Sequence, residues 1–202
     1  MAEMMKGNEA IAEAAIRAGA RFYAGYPITP SSEIMEYLSW RMNEVGGAFV
    51  QAESELAGIN MVIGASSCGV RALTASSGPG ISLKQEGIST LCDEGLPAVV
   101  ITQVRYGNGL GTLFTSQCDY HRETRGGGQG DYRCIVLCPS SIQEFVDLML
   151  PAYELAEKYR IVTIMMGEGT LGQMMEPVEL PDFVEPKDFP ARRSSSYSSN
   201  LM

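Results

Sequence analysis

The stretch Arg71-Ala72-Leu73-Thr74-Ala75-Ser76-Ser77-Gly78-Pro79-Gly80-Ile81-Ser82-Leu83-Lys84-Gln85-Glu86-Gly87-Ile88-Ser89-Thr90-Leu91-Cys92, followed after a short link by Ala98-Val99-Val100-Ile101-Thr102-Gln103-Val104, decides the fold class. Arg71 to Ser76 predicts a strand, Ile81 to Cys92 a helix, and Ala98 to Val104 a second, strongly apolar strand. A strand, a glycine-bearing turn, a helix and a strand without a polar face make a βαβ unit. Its strands run parallel because the helix carries the chain back over the sheet.

The same alternation continues on both sides. Upstream, Asn8 to Gly19 has helical spacing at Ile11, Ala14, Ala15, Ile16 and Ala18, and Gly19 stops it. Phe22 to Ala24 predicts a strand. Pro30-Ser31-Ser32-Glu33 opens a helix with a hydroxyl cap, continued by Ile34, Met35, Leu38 and Met42. Phe49-Val50-Gln51 predicts a strand and Ser54 to Gly69 a helix packed closely on the sheet. Downstream, Arg105 to Arg133 is a long glycine-rich loop with room for one short helix, and loops of that length are functional or mobile as a rule. Cys134 to Cys138 predicts a buried strand, Ser141 to Tyr159 an amphipathic helix, and Ile161 to Met165 a strand closing the sheet. The expected architecture is α/β, a mostly parallel sheet with helices on both faces. Residues 1–176 form the expected domain. Pro177, Pro181, Pro186 and Pro190, then Arg192-Arg193-Ser194-Ser195-Ser196, give 177–202 the composition of a linker or tail.

With 202 residues, 45% hydrophobic and 19% charged, the chain has apolar surface enough for one ordinary core. Its formal net charge of -9 excludes the basic footprint of a nonspecific nucleic-acid binder. No apolar run reaches the roughly 18 residues of a spanning helix, and Met1 to Lys6 lacks the regions of a signal peptide. The expected location is the cytoplasm, with no membrane partner. Cys68, Cys92, Cys118, Cys134 and Cys138 contain no C-x-x-C pair, so reduced thiols are expected rather than a disulfide framework or a metal nest. His121 stands alone without a G-x-S-x-G elbow and is expected on a surface loop.

In an open parallel sheet ligands gather at the carboxyl ends of the strands, and three turns there carry chemistry. In Gly25-Tyr26-Pro27-Ile28-Thr29-Pro30-Ser31-Ser32 the prolines either present the Thr29 hydroxyl with little freedom or only shape the turn. In Gln51-Ala52-Glu53-Ser54-Glu55 two carboxylates either serve chemistry or only complement a helix dipole, worth about 0.3–1 kcal/mol. Ser76-Ser77-Gly78-Pro79-Gly80 could offer backbone amides to an anion, although it completes neither a P-loop nor a dinucleotide fingerprint.

Taken together, Tyr26 to Ile34, Glu53-Ser54-Glu55 with Ile63 to Ser66, Ser76 to Gly80 with Glu86, and Asp119-Tyr120 resemble the α subunit of 2-oxoacid:ferredoxin oxidoreductases, in order and spacing, from about Gly7 to Pro177. Lys6 to Ala10, Gly80 to Gly87, Gly126 to Arg133 and Leu171 to Pro177 resemble the branched-chain 2-oxoisovalerate (3-methyl-2-oxobutanoate) type, with the 2-oxoglutarate type second.

The resemblance implies a thiamine-diphosphate-binding fold of the pyrimidine type. Glu55 matches the family's activating glutamate, whose task is to hydrogen-bond the ring nitrogen N1′ and favour the imino tautomer that removes the C2 proton. Thr29 is implied to hydrogen-bond the substrate. Arg105 is implied to pair with the substrate carboxylate, against the alternative of a solvent-facing loop cation. Tyr26, Pro27, Ile28, Ser77 and Gly78 are implied to line the cofactor. By the same resemblance a β subunit is implied to hold the diphosphate and magnesium, γ and ferredoxin-like δ subunits to complete the hetero-oligomer, and the iron-sulfur clusters to sit in those partners. The implied reaction converts a 2-oxoacid and coenzyme A to acyl-CoA and carbon dioxide and reduces ferredoxin. In isolation the chain is expected to be inactive, with a homodimer as one form. Family α subunits commonly continue into a second α/β domain. A noncatalytic scaffold of the same fold is the main rival, and a decarboxylase or transketolase relative is a third reading.

Overall fold

The computed structural model describes residues 2–114 and 116–185. In chain order the elements are β1 (Glu3–Lys6), α1 (Gly7–Arg17), β2 (Phe22–Gly25), α2 (Ser32–Glu44), β3 (Ala48–Gln51), α3 (Glu55–Ser67), β4 (Ala72–Ser77) and α4 (Gly78–Asp93). They continue as β5 (Ala98–Val104), α5 (Cys118–Arg125), β6 (Ile135–Leu137), α6 (Ile142–Tyr159), β7 (Val162–Glu168), α7 (Gly169–Gln173) and β8 (Met175–Val178). Six strands form a fully parallel sheet in the order β3-β2-β4-β5-β7-β6.

Period-two alternation in the strands feeds two cores. Tyr23, Leu73, Val99, Ile101 and Met165 point to one face and pack under α1, α2 and α6. Their neighbours Ala24, Ala72, Val100 and Ile164 point to the other face, under α3 and α4. Strands buried on both faces are why β5 opens on the apolar run Ala98 to Ile101 and why its Thr102 and Gln103 are buried as well. Helices therefore cover both faces, as the alternation of elements requires.

The connection from β2 through α2 to β3 crosses one face, and that from β3 through α3 to β4 crosses the other. The strand order therefore reverses between β2 and β4. This is the crevice where parallel sheets take their ligands.

Four expectations need correction. First, β1 and β8 pair antiparallel as a separate ribbon, with Glu3 opposite Val178 and Lys6 opposite Met175. Neither strand announces itself by alternation, and their pairing joins the two ends of the folded chain. β8 thus crosses the boundary expected at 176/177. Further along, Pro181 accepts from Arg17, and Arg17 lies 4.7 Å from the Phe183 ring centroid. Residues 186–202, with the Arg192 to Ser196 segment, lie outside the described residues.

Second, β7 does not close the sheet but inserts between β5 and β6, where its pairing with β5 runs from Ala98↔Val162 to Val104↔Glu168. Third, β6 is the edge, so Ile135, Val136 and Leu137 are half-buried and Cys138 is exposed. Fourth, the Ser31 hydroxyl does not cap α2; it turns back and donates to the Ile28 carbonyl at 2.9 Å.

All five cysteines are free thiols. Cys92 and Cys134, far apart in sequence, bring their sulfurs to 3.8 Å. Among the described residues no helix is long and apolar enough to cross a membrane, and no three His, Cys, Asp or Glu side chains gather as a metal-ion set.

Candidate functional site

Four turns meet at the carboxyl end of the sheet: those after β2, β3, β4 and β5. The turn after β3 separates its two carboxylates. Glu53 is exposed, whereas Glu55, the first residue of α3, is only 7% exposed. Ser54 caps α3 by accepting the Ala57 N–H at 3.2 Å, which fixes the direction in which Glu55 leaves the helix. Among the described residues the Glu55 carboxylate has no hydrogen-bond or ion-pair partner. A dipole complement would remain solvated, so its burial needs another cause.

Space for that carboxylate comes from Gly80 in the first turn of α4. A Cβ at Gly80 would stand 2.7 Å from Glu55 Oε1 and 2.3 Å from Ser76 Oγ. The Ser76 and Ser77 hydroxyl oxygens are also buried without partners. Gly78 takes φ +43, a left-handed conformation suited to glycine, and its missing side chain admits Arg105, whose Nε would lie 3.0 Å from a Cβ there.

Arg105 is half-buried at the end of β5. Nη1 donates to the Thr29 carbonyl at 2.8 Å and Nη2 to the Leu110 carbonyl, while Nε is buried and unpartnered. Its backbone N–H donates to Asp119 Oδ2 at 3.1 Å. The guanidinium fork thus ties the β2 turn to the loop after β5, rather than facing solvent. Thr29 itself is exposed, its bond to Pro30 is cis, and Tyr26 shows 40% of its surface beside half-buried Pro27 and Ile28. All the residues expected in the site therefore lie on these turns. Glu55, Ser77, Gly78 and Arg105 form the buried side, and Tyr26 to Thr29 the exposed lip.

Sequence reasoning overlooked what holds them. Asn8, fully buried at the start of α1, donates to the Pro30 carbonyl at 2.7 Å and to Glu33 Oε2 at 2.8 Å. The Gln103 amide lies 3.0 Å from Asn8 Oδ1, beside the Gly167 and Glu168 carbonyls. Lys6 and Gln173 also donate to Glu33, at 2.7 and 3.0 Å. Glu33 is thereby held below its usual carboxylate range, against the opposing and larger single effect of burial. Asn8→Ala leaves the Pro30 carbonyl without its shorter donor in a dry site. The expected loss is about 1–3 kcal/mol of folding stability, read as a lower urea midpoint.

A second cluster, also unforeseen, lies behind the turn after β4. Arg122 donates to the Gly78 carbonyl at 3.0 Å and to Ser82 Oγ at 3.1 Å, and pairs with Asp119 at 2.9 Å and Glu123 at 3.0 Å. Burial raises the Glu123 carboxyl above its usual range, with Arg122 opposing. Lys84 on α4, wholly buried, donates to Thr74 Oγ1 at 2.9 Å. Its signal was available: Ile81, Lys84, Ile88 and Leu91 occupy one helical stripe, and a lysine in an apolar stripe is an anomaly. His121 is exposed, on α5 rather than on an irregular loop.

Residues 13–200 match the family model described as pyruvate flavodoxin/ferredoxin oxidoreductase, thiamine diphosphate-binding. The chain is 53% identical over 180 residues to the ketoisovalerate oxidoreductase subunit VorB of Methanothermobacter marburgensis, covering 89% of this chain and 51% of that protein. It is 46% identical over 184 residues to the 2-oxoglutarate synthase subunit KorA of Methanocaldococcus jannaschii, covering 91% and 50%. The chain thus spans about half the length of the curated relatives it matches. Among solved structures it superposes with a TM-score of 0.84 and 31% identity on the 2-oxoglutarate:ferredoxin oxidoreductase from Magnetococcus marinus, solved with 2-oxoglutarate, coenzyme A and succinyl-CoA bound, covering 91% of this chain and 33% of that one. The chain belongs to the pyruvate flavodoxin/ferredoxin oxidoreductase family, in its thiamine-diphosphate-binding part.

Proposed function

We propose that this chain is the pyrimidine-side part of a 2-oxoacid:ferredoxin oxidoreductase and that Glu55 activates thiamine diphosphate. The observation that carries the reading is a mostly buried glutamate whose carboxylate has no partner among the described residues, held over a glycine at the switch point of the sheet. Such a group suits the N1′ nitrogen of an aminopyrimidine, which needs one acid-base partner in a dry setting. Thiamine diphosphate, when bound, supplies the nucleophilic carbon and the electron sink for decarboxylation.

The chain's own residues prepare that chemistry. Glu55 holds or releases a proton at N1′. Gly80 leaves its carboxylate room, and Ser77 and Gly78 form the floor beside it. Tyr26, Pro27 and Ile28 cover the ring. Thr29 offers its exposed hydroxyl to the 2-oxoacid. Arg105, tied to the Thr29 carbonyl through Nη1, pairs with the carboxylate of the 2-oxoacid. The domain is 1–176, and 177–202 is by composition a Pro/Ser-rich linker or tail.

Branched-chain 2-oxoisovalerate is the favoured substrate, with 2-oxoglutarate second; the ketoisovalerate relative is the more similar of the two subunit types. Coenzyme A takes the acyl group and ferredoxin the electrons. A β subunit holds the diphosphate and magnesium, and γ and ferredoxin-like δ subunits bring the iron-sulfur clusters, all in the cytoplasm. The test mixes the full chain with such partner subunits and follows reduction of a low-potential dye with 2-oxoisovalerate or 2-oxoglutarate. Reduction that requires thiamine diphosphate, coenzyme A and this chain supports the reading. Equal activity without this chain would leave it a scaffold.

A further inference from the structure

Glycines set the space between α3, α4 and the sheet. Gly80 makes way for Glu55, and a Cβ at Gly87 would strike Ile59 at 2.5 Å. A Cβ at Gly58 would stand 3.3 Å from Gly25 Cα and 3.4 Å from Lys84 Nζ. Into this narrow space α4 sends Lys84, at 0% exposure.

An apolar side chain there would continue the stripe of Ile81, Ile88 and Leu91 without removing an ammonium from water. Burying a charge is costly unless something in the fold balances it. Thr74 on β4 gives a neutral hydroxyl acceptor, β2 brings only the Ala24 and Gly25 backbone near Gly58, and α3 brings Glu55, one helical turn before Gly58. Asp119 and Glu123 on α5 are paired with Arg122 instead. Glu55 and Lys84 are not in ion-pair contact, but they flank one another: Glu55 Oε1 lies beside Gly80, one helical turn before Lys84, and Lys84 Nζ lies beside Gly58, one helical turn after Glu55.

We propose that Lys84 is a positioning residue for Glu55: its buried ammonium, one helical turn beyond Gly80 and tethered to Thr74, sets a fixed positive charge behind the carboxylate and so keeps it aimed at the ring nitrogen. This rests on the reading of Glu55 given above. Burial lowers Lys84 to about 8, and the Glu55 charge works in the opposite direction. The ammonium is therefore in place at neutral pH. Its effect is lost as pH rises through about 8, where Lys84 gives up its proton.

The first test needs no cofactor. In the full chain, the Lys84 side chain is followed by carbon NMR as pH is raised, in wild type and in Glu55→Gln. Wild type is expected to titrate near 8 and Glu55→Gln distinctly lower, since removal of the anion removes what holds the proton. Identical midpoints overturn the proposal.

The second test uses the complex assembled with partner subunits. Lys84→Met is expected to lower kcat at least tenfold with KM for the 2-oxoacid unchanged, and to erase the alkaline fall in rate. Lys84→Arg, which keeps its charge, is expected to hold its rate to higher pH. Wild-type kcat and pH profile in Lys84→Met overturn the proposal. So does a rise in KM with an unaltered profile, which marks packing alone. Where Arg does not fold at this site, the isosteric Met variant decides. An active Glu55→Gln complex alongside shifted Lys84 midpoints would instead sink the functional reading and leave the electrostatic coupling standing.

Discussion

Glu55→Gln is expected to lower turnover of the assembled enzyme by about 10²–10⁴-fold, the range contributed by a positioned acid-base group, while the fold is kept. The two halves of this expectation come from the same observation. Among the described residues the Glu55 carboxylate has no hydrogen-bond or ion-pair partner, so the amide breaks no existing hydrogen bond. Lys84 loses the anion that offsets its burial and gives up its proton more readily, so a modest fall in stability is expected. The chemistry should fail because glutamine keeps the shape of glutamate but cannot take up and return a proton at N1′. Rate, melting temperature and thiamine diphosphate affinity measured on the same preparation separate these effects. A melting temperature low enough to unfold the variant under the assay conditions would mean that the carboxylate serves the fold. An unchanged rate would remove Glu55 from the mechanism.

Much of this was legible in the sequence because it follows from local pattern. The bounds of β5 and the long amphipathic α6 come directly from apolar periodicity. Glu55 was placed at a helix start, and Ser54 caps that helix as its residue type allows. What local pattern cannot carry is pairing between distant segments. β1 finds β8 across nearly the whole domain, and β7 slides between β5 and β6; neither choice is written in the strands themselves.

The same limit applies to the site. Its residues lie on turns after successive strands and could be named, whereas the groups that hold them come from elsewhere. Asn8 reaches Pro30 from α1, and Arg122 reaches Gly78 from α5. Arg105 shows how a role can blur: its position at the end of β5 follows from the strand, but the sequence gives no sign that both terminal nitrogens bind backbone carbonyls.

Gly80→Ala should separate the geometry of the site from the stability of the fold. Gly80 lies within α4, where alanine is intrinsically favoured by about 1 kcal/mol. The added methyl would meet Ser76 Oγ at 2.3 Å and Glu55 Oε1 at 2.7 Å, both ends of side chains that can turn. Ser76 loses no bond by turning, because its hydroxyl has none. Overpacking in a tight site costs about 1–3 kcal/mol, so the net stability change should be small. The displaced oxygen of Glu55 is another matter: a shift on the order of 1 Å at a reacting group can cost about 10²-fold in rate. Gly64→Ala, on α3 with nothing within 4 Å of its Cβ, supplies the control. It should gain the helical preference and keep full activity. Gly80→Ala with wild-type kcat would show that the carboxylate tolerates displacement, and with it that the close fit of Glu55 over this glycine does not set its aim.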